Sequence, residues 1–159
     1  MLIKALSLHQ PWATLIAIGA KRIETRAWQT PHRGLLAIHA TRDLPREAVA
    51  LCAVSPFREA LLAGNVAGPD ALPRGCVLAI VRVTGCTPID APPEGVEAAF
   101  GDYTPGRFAW QFDDIWALPE PIGARGAQGV WSCEIPDQLL QARADAIARP
   151  EFGKASSYA

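Results

Sequence analysis

The sequence has little with which to bind a metal, cross a membrane or cross-link itself. Its 159 residues include four cysteines (Cys52, Cys76, Cys86 and Cys133), none of them in a C-x-x-C pair. Such spacing suggests neither a zinc site nor a redox dithiol. The three histidines, His9, His32 and His39, are spread over separate predicted elements, so no metal-ligand set forms from them either. No apolar run approaches the roughly 18 residues that a membrane span needs. The first twenty residues faintly resemble a signal peptide. Ser7, His9, Gln10 and Pro11 interrupt them, however, and basic residues stand where a cleavage site would be. The expectation is a cytoplasmic protein with reduced, mostly buried thiols, no membrane partner, no metal and no cofactor.

A basic excess is also lacking. The formal net charge is −1, which taken alone argues against a nucleic-acid binder. The average conceals a split. Residues 1–42 carry Lys4, Lys21, Arg22, Arg26, Arg33 and Arg42 against the single acid Glu24, a local charge of +5, and they hold all three histidines. The remainder is acidic. Asymmetry of this kind points to an anionic partner, or to a basic face balanced by acids folding over it.

Half of the residues are hydrophobic, and a chain of this length can bury a core without disulfides or metal. Strands are predicted at residues 3–8, 23–28, 34–40, 76–83, 107–118 and 129–135 from alternating or continuous apolar runs. A short helix follows Pro11, with Trp12, Leu15 and Ile16 on one stripe and Gly19 at its end. A helical stretch over residues 45–63 breaks near Pro56, and an amphipathic helix covers residues 136–148. Segments 64–75 and 87–106 read as loops, the second with a short helix near residues 96–100. The resulting fold class is α+β: a small, partly closed mixed or antiparallel β-barrel of about six strands with two or three flanking helices. Residues 1–148 form one domain, and 149–159 a flexible tail.

The basic residues suggest how an anion would be met. Lys21, Arg22, Arg26 and Arg33 surround the second strand; arginine forks onto phosphate and lysine supplies a point charge. Strand periodicity puts Arg22, Glu24 and Arg26 on one face, opposite Ile23 and Thr25. A carboxylate there can accept from a cytosine amino group. An Arg–Glu–Arg surface network of little energetic value is the competing reading. Bases also stack on aromatic faces. Trp12, Trp110 and Trp131 read as core, whereas Trp28 follows Arg26 on the same face and is expected to line a cleft. His9 at the entry to the first helix and His39 at the end of the third strand are further candidates for anion contact. The loop bearing Asp102, Tyr103 and Arg107 is either a capped turn or a lid over the cleft.

Two blocks carry a resemblance. Gly19, Lys21, Glu24 and Arg26 form a G-x-K-x-x-E-x-R core, preceded by Leu6-Ser7-Leu8-His9-Gln10-Pro11-Trp12 and followed by Arg33-Gly34-Leu35-Leu36-Ala37-Ile38-His39-Ala40. A second block runs from Phe100-Gly101-Asp102-Tyr103 through Arg107-Phe108-Ala109-Trp110 to Gly129-Val130-Trp131. Together they resemble the ASCH domain of the PUA-like superfamily over roughly residues 3–135. The resemblance implies a PUA-like barrel that binds RNA or a modified nucleoside in a basic cleft around Lys21, Glu24 and Arg26; the residues read above add Arg22, Trp28, Arg33, His9, His39, Tyr103 and Arg107 as further contacts. The alternative it implies is a metal-independent hydrolase of RNA or of a nucleoside amide such as N4-acetylcytidine, with Lys21 and Glu24 catalytic. Relatives that hydrolyse acetylcytidine carry a threonine nucleophile three residues after the motif lysine; Glu24 occupies that place here.

Overall fold

Residues 1–148 are described by a computed structural model. The expected tail, 149–159, lies outside the described residues. Six strands form one mixed, curled half-barrel sheet in the order β2-β5-β4-β3-β1-β6. The strands are β1 (Leu2–Leu8), β2 (Ile23–Arg26), β3 (Gly34–Ala40), β4 (Cys76–Pro88), β5 (Phe108–Gly123) and β6 (Val130–Glu134). Four α-helices accompany them: α1 (Trp12–Ala17), α2 (Arg46–Leu51), α3 (Phe57–Ala63) and α4 (Asp137–Ala148). Short 3-10 turns lie at Pro69–Ala71 and Gly95–Phe100. No helix among the described residues is long and apolar enough to cross a membrane.

Only β1 and β3 run parallel, in the register Leu6↔Ile38 and Leu8↔Ala40. Parallel neighbours require a crossover, and α1 with β2 fills it. Strand β1 is paired on both edges and buried on both faces. Its residues therefore divide between two cores, with Leu6 and Leu8 facing one and Ile3 and Ala5 the other. The first core lies inside the curl, where Leu36, Ile38, Val81, Val83, Trp110 and Phe112 meet Ala13 and Ile16 of α1. The second lies on the outer face, where Ile80, Leu118 and Ile135 are covered in part by Leu139 and Leu140 of α4. A third core joins the helices through Leu15, Phe57, Leu61 and Phe100, with the Phe57 and Phe100 rings edge-to-face at 5.0 Å.

Several boundaries differ from expectation. Strand β4 runs on to Pro88 instead of ending near residue 83, and β5 reaches Gly123. Together they make a long hairpin with register shifts between Val77/Ala79, Ile80/Arg82 and Val83/Gly85. Each irregularity bends the ladder, which breaks the clean alternation that sequence patterning relies on. Strand β2 is shorter than predicted and stops at Arg26. The helical stretch divides into α2 and α3 around Pro56, giving four α-helices among the described residues where two or three were expected.

Trp110 is fully buried at the centre of the inner core. Its truncation to alanine is expected to cost about 3–5 kcal/mol. At 2–4 °C per kcal/mol, thermal denaturation followed by circular dichroism should show Tm lower by roughly 6–20 °C.

Candidate functional site

The curl brings the edge strand β2 round to the C-terminal end of β1, and a trough opens where they meet. It has three connected parts. A narrow cleft of about 300 Å³ is lined by Ser7, His9, Trp12, Glu24, Arg26 and Arg107, among others. A neighbouring hollow of about 340 Å³ shares Trp12, Glu24 and Thr25 with it and reaches Phe57, Phe100 and Asp102. On the other side, a wide cleft of about 890 Å³ shares Ser7, Arg26 and Thr41 with the narrow one and extends to His39, Arg42 and the loop 124–129.

Glu24 sits at the floor of this trough, buried, with positive groups on two sides. One carboxylate oxygen lies 3.0 Å from Arg26 Nε and the other 3.4 Å from Lys21 Nζ. The approach of Arg26 Nε lacks the angle of a hydrogen bond, so this contact is electrostatic. Another guanidinium nitrogen of Arg26 donates to the Ser7 carbonyl at 3.0 Å, linking β2 to β1 across the curl. Lys21 is fully buried. Its ammonium donates to the carbonyls of Ile23 and Phe100 and faces Glu24. Two hydrogen bonds to carbonyls and one ion pair thus hold it, and the ammonium is a structural counter-charge to Glu24 where the sequence suggested a mobile point charge.

Other candidates fall in different places. Arg22 precedes β2 and is exposed, its backbone N–H donating to Glu97 at 3.0 Å, so Lys21 takes the position beside Glu24 that periodicity gave to Arg22. Trp28 lies beyond the shortened β2, edge-to-face with Trp110 at 4.7 Å, and lines none of the three hollows. Trp12, read as core, is the tryptophan that borders the trough; it leans edge-on against Phe57 at 6.3 Å. Arg33 donates to the carbonyls of Thr30 and His32, outside the trough. Tyr103 packs in a small core with Ile89 and Ala109. Burial, with the charges of Glu97 and Glu24 nearby, raises its hydroxyl pKa well above the ordinary value.

The segment 101–107 is a wall of the trough tied to β2. The Asp102 N–H donates to Thr25 Oγ1 at 3.1 Å, and Arg107 donates to the carbonyls of Thr25 and Asp102, each at 3.2 Å. Asp102 accepts from the Thr104 N–H and hydroxyl, and those hydrogen bonds hold its carboxyl below the usual range. At the other end, His9 is exposed with Nδ1 2.8 Å from Thr41 Oγ1. The start of α1 offers little to an anion, because the Ala13 and Thr14 N–H groups already bond to His9 O and Gln10 Oε1.

His39 is buried between strand and loop. Its Nε2 meets the Ala124 carbonyl at 3.0 Å, and its Nδ1 meets Ser7 Oγ at 3.1 Å. A carbonyl only accepts, so the proton sits on Nε2 and Ser7 donates to Nδ1. Trp131 Nε1 donates to the same serine oxygen at 3.1 Å. Gly126 closes over the pair; a Cβ there would lie 2.5 Å from the imidazole and 2.8 Å from Ser7 Oγ. His39 therefore anchors the loop that walls the wide cleft. Arg42 and Arg125 on that cleft were not singled out by sequence reasoning. Arg42 follows a strand end and Arg125 belongs to the acidic part of the chain, so only the fold brings them together.

Two outcomes follow from the buried groups. Lys21→Met leaves Glu24 with one counter-charge and two carbonyls without a donor, and should cost about 3 kcal/mol in denaturant unfolding. Burial lowers the His39 pKa, against a weaker opposing effect of the Ala124 hydrogen bond. As pH falls below about 6.5, the unfolded chain takes up this proton before the folded chain does, and stability declines. Between about pH 6.5 and 5 the wild type should lose more Tm than His39→Gln; equal losses would assign the pH dependence elsewhere.

Comparison with known proteins places this arrangement. The ASCH domain family matches residues 6–121. Activating signal cointegrator 1 of Mus musculus is 48% identical over 84 residues, and that of Homo sapiens 44% over 82, each covering 51% of this chain. The matched region is 14% of the length of either cointegrator. The crystal structure of ASCH from Zymomonas mobilis superposes with a TM-score of 0.48 at 15% identity, covering 89% of this chain and 93% of that one. With the family model matching well over half of the sequence, the chain belongs to the ASCH domain family, and its motif residues Glu24 and Arg26 line the trough.

Proposed function

We propose that this ASCH domain binds RNA or a modified nucleoside, with one base held in the narrow cleft between the Trp12 ring and the Glu24 carboxylate. The observation that carries the reading is the meeting of an indole, a buried carboxylate and two guanidinium groups, Arg26 and Arg107, in a hollow of about 300 Å³. An indole offers a stacking face that tolerates any base. A carboxylate accepts from an exocyclic amino group, and so favours cytosine-like edges. Arg26 and Arg107, paired with Glu24 and Asp102, hold the walls of the hollow in place.

Hydrolysis of RNA or of a nucleoside amide is the alternative. Its catalytic pair of Lys21 and Glu24 draws little support from geometry, because the donors of Lys21 are already engaged inside the fold. Glu24 alone would then have to activate water. Incubation with single-stranded RNA and with N4-acetylcytidine, followed by chromatography, separates the readings: product formation that Glu24→Gln abolishes would favour hydrolysis.

Binding of a labelled single-stranded hexanucleotide, read by fluorescence anisotropy, tests the main proposal. Trp12→Ala should weaken it by about 1–3 kcal/mol, or roughly 5- to 150-fold in Kd. Glu24→Gln should reduce the preference for cytidine over uridine. Unchanged affinity in a folded Trp12→Ala protein would overturn the assignment.

A further inference from the structure

The wide cleft has a different character from the narrow one. It is nearly three times as large and has no aromatic ring at its exposed wall except through His39, which is itself buried. Its charged lining consists of Arg26, Arg42, Arg125 and the single acid Asp43. Arg26 is committed to Glu24 and to the Ser7 carbonyl. Arg42 and Arg125 are exposed, and among the described residues neither guanidinium has a carboxylate partner. Two uncommitted guanidinium groups therefore face one hollow from different elements, the end of β3 and the loop after β5. Ser7, Arg26 and Thr41 border both clefts, so a chain can pass from one to the other without leaving the surface.

We propose that the wide cleft holds the phosphodiester backbone next to the bound base, so that the ligand is a short single strand of RNA bearing about two phosphates there, and a free nucleoside fills only half of the site. This rests on the narrow cleft holding a base. Guanidinium groups fork onto phosphate oxygens with matched geometry. The hydroxyls of Ser7 and Thr41 stand at the junction where the sugar would cross. Two uncommitted arginines beside the single acid Asp43 set the footprint.

Two phosphate contacts on a single strand give a slope of log K against log salt of about −1.4. Between 50 and 200 mM salt the affinity should then fall about sevenfold. Calorimetric titrations of the full chain with the trinucleotide CpCpC, with cytidine and with penta-glutamate test this. The trinucleotide should bind more tightly than cytidine and show that slope, and the double variant Arg42→Gln/Arg125→Gln should bring the slope close to zero. Cytidine, which has no phosphate, reports on the narrow cleft separately. Cytidine bound as tightly as the trinucleotide, a salt slope that survives the double variant, or penta-glutamate matching the trinucleotide would each overturn the phosphate assignment while leaving the base pocket standing. Failure of both cytidine and trinucleotide to bind would remove the base pocket, and this inference with it. A salt slope that depends on the two arginines, in a protein indifferent to Trp12→Ala, would keep the phosphate cleft and discard the base pocket.

Discussion

A carboxylate out of water must be matched by positive charge, and in this chain that requirement falls on Glu24. Its two counter-charges come from opposite directions. Lys21 arrives from the turn after α1 and fastens the end of the Gly95–Phe100 turn; Arg26 arrives from β2 and fastens β1. One buried charge thereby connects the crossover, the edge strand, the first strand and the long insertion of the β4–β5 hairpin. These are also the walls of the trough. The ionic cluster is unlike a surface salt bridge, whose net value is small, because removing Glu24 leaves the fully buried Lys21 ammonium without a counter-charge.

This arrangement explains which parts of the fold the sequence disclosed. The strands at Leu2–Leu8, Gly34–Ala40 and Val130–Glu134 follow from apolar residues that face packed layers. The long hairpin extends beyond the predicted strands because its bulges reset which residues face the core, as at Val77/Ala79 and Val83/Gly85. Periodicity correctly put Glu24 and Arg26 together, since both lie within β2. It failed at Lys21 and Arg22, which precede the strand, where alternation carries no information. Trp12 packs against the inner and helical cores and also borders the trough, and Trp28 lies past a strand that stops two residues early, exposed beside Trp110.

Charge shows the same limit. The +5 of residues 1–42 correctly drew attention to the motif, yet much of it is spent inside the fold or away from the trough: Lys21 on Glu24, and Arg33 on backbone carbonyls. The uncommitted positive charge at the wide cleft comes from Arg42, at the very end of that segment, and from Arg125 in the acidic part of the chain. The arithmetic of a segment counts charges, whereas an approaching ligand meets only those that the interior has not already used.

Arg26 makes this distinction tangible. It closes the curl and lines both clefts, so its guanidinium is fixed before any ligand arrives. A side chain that is already immobilised loses little rotamer freedom on contact. The fold bears that ordering cost during folding, when many other contacts form, and the binding step is relieved of it. The interior ionic cluster thus holds a guanidinium at the border of both clefts with the rigidity of a core.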